Sequence, residues 1–222
     1  MRLIVQLCLA VVFGLGSGPV SGQVLISEIM YNPDSHEGDP QKERDYNQTE
    51  WIELYNAGDK AVSLAGFYLQ DEDGKTEALA ESVEIKPGEA IVLIPGTQSV
   101  GDFRKAWGGG FDVYSLKGWA VGDDPLSNLA NGPSSSNEVL TLRDAEGEIV
   151  DEVNYDDEGD WPKDSPDGPS IALNPDALDP GKNDSGSNWR RSEKGKQGAK
   201  NAKKTSEYSD QDVGSPGRVP TK

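Results

Sequence analysis

The chain has 222 residues, 39 acidic against 21 basic side chains, and a formal net charge of −18. That length allows one domain of ordinary size with tails, and such acidity excludes a general nucleic-acid coat because it repels phosphate. One cysteine, Cys8, excludes an intramolecular disulfide framework and a Cys-cluster zinc site, and one histidine, His36, leaves a single position for a Ser–His–Asp base.

Charge divides the chain into three parts. Residues 1–22 hold one basic and no acidic residue, 23–181 hold 10 and 34, and 182–222 hold 10 and 5. The first part reads as a secretory signal peptide. Met1-Arg2 is its charged start, residues 3–15 are apolar apart from Gln6 and Gly14, and Val20-Ser21-Gly22 offers small residues for cleavage before Gln23. The apolar run is too short to span a bilayer. The expectation is cleavage near Gly22, a mature protein that is secreted, extracellular or periplasmic, and no transmembrane span or cysteine after cleavage.

The middle part reads as all-β. Residues 24–30 are β-rich and stop at Asn32-Pro33. The polar stretch 34–49 has no apolar periodicity and reads as a long exposed loop. Residues 50–55 alternate, with Ile52 and Leu54 on one face and Trp51, Glu53 and Tyr55 on the other. Short strands follow at 61–64 and 67–70. Lys86-Pro87-Gly88-Glu89 has the type II turn pattern, and 90–94 is a continuous apolar run that suggests a buried strand. Residues 102–107 form the one plausible helix, stopped by Gly108-Gly109-Gly110. Residues 139–143 and 148–155 flank Asp144-Ala145-Glu146-Gly147 as a hairpin, and 170–173 is a last short strand. Many short strands with little helix predict a sandwich or barrel, with no βαβ unit.

The third part is low-complexity and basic around 194–204. Its own apolar content is too small to offset ordering entropy, which predicts a disordered, mobile segment from about 192 to 211. The domain division expected is 1–22 signal peptide, 23–190 sandwich and 191–222 basic tail.

Several motifs fall in a family order. They are Ile26-Ser27-Glu28-Ile29-Met30-Tyr31-Asn32-Pro33, then Glu50-Trp51-Ile52-Glu53-Leu54-Tyr55-Asn56, then Leu64-Ala65-Gly66-Phe67-Tyr68-Leu69. The Lys86-Pro87-Gly88 turn, Asn137-Glu138-Val139-Leu140-Thr141-Leu142, Gly147-Glu148-Ile149-Val150-Asp151, Trp161-Pro162, Asn188-Trp189 and Gly214-Ser215-Pro216-Gly217 continue it. Over about 24–217 the chain resembles the lamin-tail domain of bacterial secreted proteins. The resemblance implies an immunoglobulin-like β-sandwich with long loops. It also implies a non-catalytic interaction or tethering module whose partner is a protein or an extracellular polymer. The 34–49 insertion and the Lys-rich 194–204 stretch depart from a minimal version.

Candidate chemistry is then weighed residue by residue. Glu28 and Glu53 sit inside strands, where paired carboxylates can act as acid and base in glycoside hydrolysis or, as the plainer reading, accept backbone hydrogen bonds. Acidic turns offer oxygen ligands for calcium, with Asp71, Asp73, Asp156, Asp157 and Asp160 as metal candidates, although none has EF-hand spacing. No cofactor is required, and calcium is the one the turns could hold. Trp161 and Trp189 read as structural, whereas Trp107 and Trp119 flank the irregular 108–136 region and are the candidates for surface binding. Arg190, Arg191, Lys194, Lys196, Lys200, Lys203 and Lys204 form a basic cluster that could tether to an anionic surface or fold back on the acidic body. His36 lies among Asp34, Glu37 and Asp39, and Asn47-Gln48-Thr49 matches a glycosylation acceptor. The leading expectation is a secreted binding module that is not an enzyme, with nucleic acid excluded for the acidic body. The alternatives are a secreted hydrolase and a calcium-dependent glycan binder.

Overall fold

Alternation and turn residues together set where each strand begins and ends. The computed structural model describes residues 24–36, 49–72, 74–119, 126, 129 and 139–218. The first half holds β1 (Val24–Met30), β2 (Trp51–Asn56), β3 (Val62–Ser63), β4 (Tyr68–Gln70), β5 (Glu84–Ile85) and β6 (Ala90–Pro95). Helix α1 (Val100–Trp107) separates β6 from β7 (Asp112–Leu116). The rest holds β8 (Val139–Arg143), β9 (Ile149–Asn154), β10 (Ile171–Leu173), β11 (Trp189–Arg191), β12 (Lys200–Asn201) and β13 (Val213–Gly214).

These strands form a six-stranded sheet in the order β11-β10-β1-β2-β6-β7, a three-stranded sheet β4-β8-β9, and the small pairs β3–β5 and β12–β13. The main core lies between the sheets. Ile52, Leu54, Ile91, Leu93 and Ile171 from the large sheet meet Leu69, Leu140, Leu142 and Val153 from the small one. The predicted sandwich, the 139–154 hairpin and the turn at Gly88 (φ 71°) are all present. Helix α1 begins two residues before the expected 102, because Ser99 caps it by accepting from the amides of Gly101 and Asp102.

Two expectations are overturned. First, β6 and β7 are parallel, with α1 as the crossover between them, so the fold does contain a βαβ unit. The helix has only eight residues and the chain then passes three glycines, which hid the return strand inside an apparently irregular stretch. Second, residues 192–211 are folded rather than mobile. Ala199, Ala202 and Tyr208 are buried, as is Val213 just beyond, and the amide of Lys203 donates to the carbonyl of Ala106 at 2.9 Å.

The physical reason lies in the large sheet, whose second face is also apolar. Met30, Trp51, Val92 and Ile94 point away from the main core and form a second one with Phe103, Ala106 and Trp107 of α1 and with Val113, Ala202 and Tyr208. The C-terminal segment brings few apolar residues of its own. It gains by covering apolar surface that belongs to β1, β2 and β6, which a count over the segment alone leaves out.

Truncating Tyr208 tests this directly. Tyr208→Ala is expected to lower unfolding free energy by about 3–5 kcal/mol in urea titrations, as for a large buried ring. A residue in a mobile tail would change it by less than about 0.5 kcal/mol.

Candidate functional site

A bulge in β1 builds the most unusual arrangement in the molecule. Pairing with β2 runs Ile26↔Leu54 and then Glu28↔Glu53, leaving Ser27 as the extra residue. The extra residue resets the alternation. Ile26 and Ile29 therefore both reach the main core, while Glu28 shares the second face with Met30. Two carboxylates thus stand side by side on adjacent central strands, each 1% exposed.

The C-terminal Gly214-Ser215-Pro216-Gly217 segment satisfies them. Glu28 Oε1 accepts from Ser170 Oγ at 2.5 Å, from the amide of Ser215 at 2.8 Å and from Ser192 Oγ at 3.3 Å, and Oε2 accepts from Ser215 Oγ at 2.6 Å. Glu53 Oε1 accepts from Ser27 Oγ at 2.7 Å, and Oε2 from the amide of Gly217 at 2.7 Å. Close approach makes both glycines necessary. A Cβ at Gly214 would lie 2.7 Å from the Trp51 ring, and one at Gly217 (φ 71°) would lie 2.0 Å from Phe111.

Burial is costly for two adjacent negative charges. Desolvation pushes Glu28 above the usual carboxylate range, against the pull of its hydroxyl and amide donors and of Arg190. Desolvation and then the charge of Glu28 push Glu53 up to about 8. The Arg190 guanidinium is half-buried and donates to the carbonyls of Ala172 and Leu173. Burial therefore favours a protonated Glu53 near neutrality. Both carboxylates turn inward to backbone and hydroxyl donors, so the arrangement is suited to holding the chain end rather than to acid–base work on a substrate.

Two further buried acids that burial holds above the usual carboxylate range went unread in the sequence. Asp151 Oδ2 accepts from the amide of Ile26, beside the bulge, and from Asn183 Nδ2, both at 2.7 Å, and burial pushes it up to about 7. Asp212 accepts from Ser35 Oγ, and burial pushes it up to about 7 as well. Only the inverted pattern of Asp151 buried beside an exposed Ile149 marks the first, and that inversion needs the register shift between Leu142 and Arg143.

The residues predicted for binding are dispersed. Trp107 and Trp119 are 1% and 0% exposed, which corrects their reading as surface-binding residues. Trp107 lies edge-on to Trp51, with ring centres 5.7 Å apart, and Trp119 is part of the main core. Trp161 packs on Trp189 at 5.8 Å, and Trp189 Nε1 donates to the carbonyl of Asn183 at 2.7 Å, as expected of structural residues.

The basic cluster is largely engaged with its own chain. Arg191 donates to the carbonyl of Lys163 at 2.5 Å, Lys200 to that of Trp107, and Lys196 pairs with Glu193 at 2.5 Å. Lys194, Lys203 and Lys204 are exposed. Among the acidic candidates, Asp71 accepts from the amide of Gly74 at 2.8 Å and Asp156 from the amides of Asp157 and Glu158, so both shape turns. Asp160 is exposed, and among the described residues no group of three or more His, Cys, Asp or Glu side chains could hold a metal ion. Asp73, the side chain of His36 and residues 47–48 of the acceptor motif lie outside the described residues. So does the expected signal segment, and among the described residues no helix is long and apolar enough to cross a membrane.

A two-sheet sandwich whose central carboxylates are used to close the chain has an immunoglobulin-like, all-β fold. The chain belongs to the lamin tail domain family, whose model matches residues 17–157. Domains of this kind are generally non-catalytic. The match ends just after β9, so β10, β11 and the whole C-terminal cover lie beyond it. Among curated proteins none matches the chain.

The carboxylate pair makes stability depend on pH with a definite sign. A carboxyl group whose folded pKa is raised binds its proton more tightly when folded. Its contribution is complete below about pH 4.5 and is lost as pH rises through about 8 for Glu53. The urea midpoint is expected to fall between pH 5 and pH 8.5. The fall should persist in 0.5 M salt, which screens surface repulsion to within about 4 Å. Glu53→Gln keeps an acceptor for Gly217 and a donor for Ser27. It should raise the midpoint at pH 8.5 above that of the natural protein and shrink the slope, leaving the part due to Glu28, Asp151 and Asp212.

Proposed function

We propose that the protein is a secreted, non-catalytic binding module that attaches to a protein or an extracellular polymer through the loops and clefts around the sandwich. One observation carries the reading. The two strand carboxylates best placed for acid–base chemistry accept hydrogen bonds from Ser27, Ser170, Ser215 and Gly217 inside the fold. Family membership supports the same conclusion. Export is proposed from residues 1–22, with their charged start, apolar run and small-residue end. The acidic body keeps the secreted module soluble and turns it away from polyanions. The basic segment serves the fold through Arg190, Arg191 and Lys200, which argues against a free electrostatic tether.

An array of polysaccharides and matrix proteins probed with the chain from Gln23 onward tests the reading. Retention on at least one polymer is expected, with the polymer recovered intact and no change on adding calcium or chelator. Cleavage of any polymer, abolished in Glu28→Gln or Glu53→Gln, would contradict it. Export is checked by intact mass of the protein released from a secreting host, which should begin at Gln23.

A further inference from the structure

Among the described residues, α1 and the C-terminal segment cover the second face of the large sheet as far as Gly217. Beyond that point a cleft of about 730 Å³ opens, within the range of small-ligand sites. Its walls come from the ends of β2 and β6, from α1 and from the glycine loop before β7. Two half-buried aromatic residues line it, Phe111, which packs on the second core, and Tyr55, which also packs against the main core.

Phe111 is fixed from behind. It meets Phe103 edge-on at 6.4 Å, and it fills the space that a side chain at residue 217 would need. Gly217 is in turn held by Glu53. The ring is therefore a rigid platform, placed by the same clasp that closes the fold. The rim carries both charge signs, Arg104 and Lys86 against Asp112 and Glu89. Lys86 and Glu89 pair at 3.8 Å, whereas Arg104 and Asp112 are exposed and make no ion pair among the described residues. Gly109 has an ordinary φ, and a Cβ there would meet nothing within 4 Å, so neither packing nor conformation requires glycine. Its bareness leaves the rim open to close approach.

We propose that this cleft binds a segment of a neutral polysaccharide, with a sugar ring against Phe111 and its hydroxyls shared by Arg104 and Asp112. This rests on the reading of the protein as a binding module and names its ligand class. A sugar presents an apolar face to an aromatic ring and hydroxyls that both donate and accept, which suits a rim with one free donor group and one free acceptor group. The balanced rim gives no preference for charge, and the acidic body repels polyanions at longer range.

Affinity electrophoresis in native gels tests this, with hydroxyethylcellulose, galactomannan or dextran as the neutral polymers and heparin as the anionic control. Retardation is expected in at least one neutral gel and not in heparin. Phe111→Leu, which keeps an apolar side chain at the Gly217 contact, should weaken it about tenfold, as for one anchoring contact. Arg104→Ala and Asp112→Ala, both at exposed positions, should weaken it severalfold with the unfolding midpoint unchanged. Free migration in all three neutral gels would overturn the ligand class. If the array then showed retention on a protein, the module reading would still stand. Retardation equal to that of the natural protein in all three variants would remove the cleft as the site.

Discussion

Two neighbouring glutamates in the middle of a six-stranded sheet are the constraint around which this molecule is arranged. Buried carboxylates are tolerated only when donors surround them. The β1 bulge puts Glu28 on the same face as Glu53, and the chain end supplies the donors. The carboxylates thereby fix where residues 215–217 lie, and Gly214 and Gly217 are the residues that can approach closely enough. Removing either side would leave the other unsatisfied, at a cost of several kcal/mol for a buried charge.

From this clasp follows the layered construction. The large sheet is buried on both faces, once by the small sheet and once by α1 with the C-terminal segment. The segment from 192 to 217 is held at three levels. It pairs with α1 through Lys203 and Ala106, closes on itself through β12 and β13, and is pinned by Glu28 and Glu53 at its end. That end also supports Phe111, so closing the fold and shaping the cleft depend on the same contacts. With a single cysteine in the sequence and so no internal disulfide, the chain gains long-range closure from polar contacts that a cross-link would otherwise supply.

Much of the sandwich was legible because its local signals agree. Ile52 and Leu54 alternate with Trp51 and Glu53, and these four lie on the faces the pattern assigns, whereas Tyr55, assigned with Trp51, packs against the main core. The apolar run from 90 to 94 is buried on both sides, as its continuity implies. Lys86-Pro87-Gly88-Glu89 turns as its glycine requires, with the amide of Glu89 donating to the carbonyl of Lys86 at 3.0 Å. What stayed hidden depends on partners far along the chain. Trp107 reads as exposed until Trp51 is placed against it. The cover over 199–213 reads as disordered because its binding surface belongs to strands more than a hundred residues earlier. The clasp itself was half visible. The Gly-Ser-Pro-Gly motif and both glutamates stand out, yet nothing in their spacing joins them, since the bulge that turns Glu28 is a property of pairing.

Amide exchange at Ser215 and Gly217 tests the central claim most directly. Both amides donate to buried carboxylates, at 2.8 Å and 2.7 Å, although neither belongs to a regular ladder. At pH 6 they should exchange as slowly as the central amides of β1 and β2, which open only with the whole domain. Exchange at the rate of an exposed chain end, with β1 and β2 still protected, would contradict the account.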